Sequence, residues 1–141
     1  MKLSDYYENL EWRRACAERF FKNSNLEYTI LEREFTHIHS RVLKVDFFVW
    51  DWTLHRVLVV MMDGGEKRTG FSDINLRLNW KQLRPRLEQA ARLWLREHKE
   101  YQNDKIGLAQ CVVFCAKGEE PEITLLKEAT TINTFDRVYG F

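Results

Sequence analysis

Arg41-Val-Leu-Lys-Val-Asp-Phe-Phe-Val-Trp-Asp-Trp-Thr-Leu-His-Arg-Val-Leu-Val-Val-Met-Met-Asp-Gly-Gly65 decides the fold. It reads as two strands joined by a polar bend at 51–55. The first runs over about Val42–Trp50, with Leu43, Val45, Phe47 and Val49 on one apolar face and Lys44, Asp46, Phe48 and Trp50 on the other. The second, about Arg56–Met62, is almost wholly apolar, as a central strand covered on both faces would be. The stretch carries two acidic residues of interest. Asp46 lies inside the first strand, and Asp63 stands where the second runs into glycines. A carboxylate inside such a strand is costly to bury without a compensating partner.

The rest of the chain builds outward from this hairpin. Asp5, with Glu8 three residues on, suggests a helix start of the capping-box kind. Leu10, Ala17, Phe20 and Phe21 continue at helical spacing, and Asn23-Ser-Asn25 should end the helix. Leu26, Tyr28 and Ile30 alternate with polar residues as in a half-buried strand. The alternation loses phase at Glu32-Arg33-Glu34, which predicts a bulge or turn. Beyond the hairpin, Asp63 to Lys67 reads as a turn, and Ile74, Leu76 and Leu78 suggest a short strand. Trp80, Leu83, Leu87, Ala91 and Trp94 define a helix from about Leu83 to Glu100, with Pro85 in its first turn. Cys111–Cys115 should be a buried strand and 122–128 an edge strand. The order is helix, antiparallel three-stranded meander, long helix, then one or two strands: an α+β layout of αβββαβ type.

At 141 residues the chain is expected to be a single domain over 1–141, with 45% apolar and 30% charged residues. No run approaches the ~20 apolar residues of a membrane span. The first residues turn polar at once, and three cysteines are an odd number, so reduced thiols in the cytoplasm are expected. Net charge is only +1, yet residues 77–99 hold seven basic and two acidic side chains. Arg77, Lys81, Arg84, Arg92, Arg96 and Lys99 follow at mostly three- or four-residue steps. Such a stripe suits a nucleic-acid backbone. An acidic protein partner would suit it equally, and a solvated helix face is the plainer alternative.

Two carboxylates meeting at a strand end could hold Mg²⁺ and activate water for phosphodiester hydrolysis. Whether Asp46 and Asp63 meet depends on register. With Asp46 opposite Met61 they share a face, whereas a one-residue shift separates them. The plainer reading is a solvated Asp46 and an ordinary Asp-Gly turn. His37 and His39 share a strand face and form an alternative metal pair. Cys111 and Cys115, roughly 13 Å apart along an extended strand, cannot share one tetrahedral ion without a bend.

The helix–three strands–helix–strand order, with Val45-Asp46-Phe47 and Val59-Val60-Met61-Met62-Asp63-Gly64-Gly65 closing the hairpin, resembles the PD-(D/E)XK nuclease-like core, most similarly its very-short-patch-repair branch. The resemblance covers roughly residues 5–116 as topology. It implies a Mg²⁺-dependent nuclease with Asp46 and Asp63 as metal ligands, a helix-one acid (Glu18, or Glu11) assisting and Lys67 as the nearest cation. The acid–x–Lys element of that family is missing: Met61 stands where its acid would be. Degeneration to a nucleic-acid-binding protein is therefore expected over catalysis. The alternative is a non-enzymatic protein-binding module, such as an adaptor, an inhibitor or a secretion-chaperone-like homodimer, with Phe48, Trp50 or Trp52 at its interface.

Overall fold

A computed structural model describes residues 3–25, 27–36, 44–65, 73–127 and 132–133, with the backbone alone for 36, 44, 73–83 and 132–133. The elements follow as α1 (Leu3–Lys22), β1 (Tyr28–Thr36), β2 (Lys44–Asp51), β3 (Arg56–Gly65), α2 (Asp73–Glu97), a 3₁₀ turn (Lys99–Tyr101), β4 (Lys105–Phe114), β5 (Glu122–Lys127) and the short β6 (Ile132–Asn133). The strands form one mixed sheet in the order β1-β2-β3-β4-β5, with β6 pairing β4. The first three are the expected antiparallel meander. β3 and β4 are parallel, joined by the connection that contains α2. The fold is α+β, and β3 is central as its apolar run requires.

Each sheet face carries one helix. On one side Cys16, Ala17 and Phe21 of α1 pack with Phe47, Val49, Leu58, Val60, Ala109, Cys111 and Val113. On the other, Leu87, Ala90, Ala91, Trp94 and Leu95 of α2 pack with Val45, Phe48, Val57, Val59, Ile106 and Leu108. Both faces of β2 and β3 are therefore core, and Phe48, expected on a polar face, is fully buried. The core of the α2 face is a ring stack: Phe48 lies flat on Trp94 with centroids 4.4 Å apart, and Trp94 on His98 at 3.9 Å.

Several local expectations hold for stated physical reasons. α1 stops at Lys22, where the Ser24 hydroxyl donates to the Phe21 carbonyl and Asn25 turns left-handed at φ 54. The phase loss in β1 is a register shift between Ile30 and Glu32, followed by a left-handed Glu34. Others are corrected. Residues 73–83 are not a strand and loop but the first part of α2. Three alternating apolar residues are too short a run to distinguish period 2 from period 3.6. Pro85 thus lies inside the helix rather than in its first turn. The helix ends at Glu97, so Lys99 belongs to the 3₁₀ turn. β4 begins at Lys105, six residues before the expected start. The Asp63-Gly64-Gly65 segment is not a turn but the end of β3, paired with β4 as far as Phe114. Gly64 makes this possible: at φ +121, a Cβ there would stand 2.1 Å from the Val113 carbonyl oxygen.

Candidate functional site

The β2–β3 ladder pairs Phe47 with Val60, and its continuation would set Asp46 opposite Met61 and Val45 opposite Met62. The ladder stops at Phe47, however, and the strands part there. The Met62 N–H, which a continued ladder would give to β2 backbone, donates to Asp46 Oδ2 at 2.8 Å. The other carboxylate oxygen accepts from Arg14 Nη2 of α1 at 3.0 Å, and Arg14 also reaches Glu34 at 2.8 Å. Asp46 is buried and faces α1. It is not the solvated residue of a polar face but the splice that replaces a missing ladder bond.

Asp63 lies on the other side. Along β3, Leu58, Val60 and Met62 face α1, while Val57, Val59 and Met61 face α2. Alternation places Asp63 with the second set, beside its register partner Val112. Its Oδ1 accepts the N–H of the next residue, Gly64, at 2.7 Å. The register that seemed to unite the two carboxylates does not, because the sheet alternation breaks at Asp46. Phe47 and Asp46 both address α1, and Val45 has crossed to the α2 side.

Glu18 accepts from Arg33 of β1 and from Lys22 at 3.4 Å. The Arg33 hydrogen bond is the main cause holding its carboxyl below the ordinary range, against a smaller opposing effect of burial. With Arg14, Arg33, Glu34 and Asp46 it forms an ionic seam between α1 and the β1–β2 pair, in which every described carboxylate has a cation. Among the described residues no cluster of three or more His, Cys, Asp or Glu side chains could hold a metal ion. Lys67, His37 and His39 lie outside the described residues.

Asp51, which the sequence did not single out, is the most enclosed carboxylate of the hairpin. It and Arg56 are fully buried. Its Oδ1 caps the bend by accepting the Thr53 and Leu54 N–H groups at 3.1 and 3.4 Å. Its Oδ2 faces Arg56 Nε at 3.3 Å and Lys127 Nζ at 3.8 Å. Gly107 leaves the room: a Cβ there would meet the Arg56 guanidinium carbon at 2.6 Å. The spacing Asp51-x-Thr-Leu-x-Arg56 resembles any polar bend, so the signal is weak.

The cationic stripe is partly drawn into the fold. Arg77 and Lys81 stand where only the helix backbone is described. Arg84 pairs with Glu88 at 2.8 Å and Arg92 is half-buried, while Arg96 and Lys99 are exposed at the end of α2 and in the 3₁₀ turn. The 3₁₀ turn that Lys99 opens closes with Tyr101, part of an aromatic group that the sequence did not assemble. Tyr101 stacks on Trp94 and approaches Trp50 at 5.9 Å. Trp50 in turn meets Trp52 and His55 of the β2–β3 bend edge-on, at 6.1 and 6.5 Å. Trp52 is 50% exposed, yet held by its indole N–H on Thr29 Oγ1 at 2.9 Å.

The chain matches no family profile, and comparison with curated proteins finds no significant relative. Among the described residues no helix is long and apolar enough to cross a membrane.

Proposed function

We propose that this chain is a nucleic-acid-binding domain on a nuclease-like fold, acting by binding rather than by hydrolysis. The observation that carries this reading is the 3₁₀ turn, which opens with the exposed Lys99 and closes with Tyr101 of the aromatic group. Lys99, with Arg96 exposed in the last turn of α2, supplies cations, and the oriented, exposed Trp52 with Trp50, His55 and Tyr101 supplies ring faces. Cations beside stacking rings suit a single strand, whose bases are free to stack and whose phosphates track the charge. The nuclease-like topology is supported by the αβββαβ order, the parallel β3–β4 pair and a helix on each sheet face. A Mg²⁺-dependent phosphodiesterase would require Asp46 to give up Arg14 and the Met62 N–H and then to meet Asp63 from the opposite face.

Fluorescence titration of a labelled single-stranded oligonucleotide at several salt concentrations tests the reading. Binding should weaken steeply with salt, by a slope of roughly 0.7 per phosphate contact. Trp52→Ala should weaken it about tenfold, the size of one lost base stack. A second reading, a protein-binding module or homodimer, is favoured by one observation: Trp52 and Leu54 are both about half exposed on the same bend. Self-association or partner binding that survives high salt and fails in Trp52→Ala, with no oligonucleotide binding, would establish that reading instead.

A further inference from the structure

α1 runs along the turn that follows β4, and a series of contacts clasps the two. Lys117 Nζ reaches Glu8 at 3.2 Å, and the Lys117 N–H donates to Asn9 Oδ1 at 2.8 Å. One turn further along α1, the Trp12 indole N–H donates to the Glu119 carbonyl at 3.3 Å. The next turn brings Cys16 beside Cys115, both in the α1-facing core and both almost without exposure. A cavity of about 500 Å³ opens at this clasp, with Cys16, Trp12, Arg19, Phe20, Glu119 and Ile123 among its walls. Arg19 lies over the Trp12 ring at 5.6 Å and directs Nη2 to Cys16 Sγ at 3.3 Å. Cys111 is buried too but forms no part of the cavity wall.

We propose that Cys16 is a thiol-modification site, reached by a small peroxide through this cavity, with Cys115 as the resolving thiol that closes a Cys16–Cys115 disulfide. The Cys16 sulfur attacks one peroxide oxygen, the O–O bond breaks, and the thiol proton leaves with the departing oxygen as water. Cys16 is then a sulfenic acid. The Cys115 sulfur attacks it, the S–O bond breaks, and the hydroxyl leaves with the Cys115 proton as a second water. Two thiols and one hydrogen peroxide give one disulfide and two waters: the sulfurs lose two electrons and the peroxide gains them. Arg19 donates its hydrogen bond to the sulfur that attacks first, the kind of cationic setting in which reactive thiols are found. Cys115 lies in the same core cluster as Cys16 and feels its charge. Burial first, and then the charge of and hydrogen bond with Cys16, push its thiol up to about 11, so it waits protonated until a sulfenic acid forms beside it. Burial, with Asp46 adding to it, pushes the Cys111 thiol up to about 12, which makes it the internal control.

The test is peroxide treatment of the folded chain, followed by denaturation in an alkylating agent and peptide mapping. The expected result is loss of two of the three alkylatable thiols, recovery of a linked Cys16–Cys115 peptide pair, and an alkylated Cys111. In Cys115→Ser the Cys16 sulfenic acid should persist and be labelled by dimedone, while Cys111→Ser should oxidise like the unaltered chain. Three intact thiols after exposure sufficient to oxidise free glutathione fully, or a disulfide that includes Cys111, would overturn the proposal.

Discussion

Asp46 and Asp51 stand on the same strand, at opposite ends of its pairing with β3, and the fold uses them differently. Asp51 is sealed. Its carboxylate takes two backbone N–H groups of the bend and faces two cations, all within the end of the sheet. Asp46 sits where the ladder opens, takes one backbone N–H and shares a cation with Glu34. The first closes a hairpin, and the second ties a helix to a fork. Neither is a spare carboxylate. An acid inside an apolar strand can be compensated by the strand's own unmet donors, so its presence does not by itself signal catalysis.

The contrast can be broken first at Asp51. Arg56→Ala leaves a fully buried carboxylate without its nearest cation and should cost about 3–5 kcal/mol in urea unfolding. Gly107→Ala attacks the same end from the other side. Its methyl group would press on a guanidinium that has no solvent to move into, at a cost of about 3 kcal/mol by the same measurement. At the fork the effects should be smaller. Asp46→Ala strands the Met62 N–H and half of the Arg14 pairing, worth about 2 kcal/mol, whereas Asp46→Asn keeps an acceptor for Met62 and should cost about half that. Equal losses at Asp51 and Asp46 would erase the distinction drawn between them.

The smallest effect sharpens the seam beside Asp46. Glu18 has its pKa lowered, chiefly by Arg33, so it contributes stability that is present above its ordinary value near pH 4.5. That contribution is lost as pH falls through the depressed folded value. The pair is largely exposed and screened, so Glu18→Gln should flatten the acid limb of the stability curve below about pH 4.5 by only a few tenths of a kcal/mol. No change should appear near neutrality beyond the loss of that same contribution.

The fold was legible where patterns were long. The apolar run Val57–Met62 specified a central strand, and Leu87, Ala91 and Trp94 specified the buried face of α2. The start of α2 was not legible, because Ile74, Leu76 and Leu78 fit a strand as well and Pro85 mimicked a helix start. The site was less legible still. The register across the hairpin was one of the two considered, but face assignment assumed unbroken alternation, and the break at Asp46 is set by Arg14, which is distant in sequence. Asp51 and Arg56 looked like ordinary bend residues because burial at a sheet end depends on Gly107 and Lys127, contributed by other strands. The aromatic group around Trp50 likewise needs Tyr101 from beyond α2.

The commitment of Asp46 to the fork is tested most directly by isothermal titration of the folded chain with Mg²⁺, in parallel with Asp46→Asn. The prediction is no saturable binding in either. Saturable one-site binding in the unaltered chain, abolished in Asp46→Asn, would contradict it and return Asp46 to the role of metal ligand.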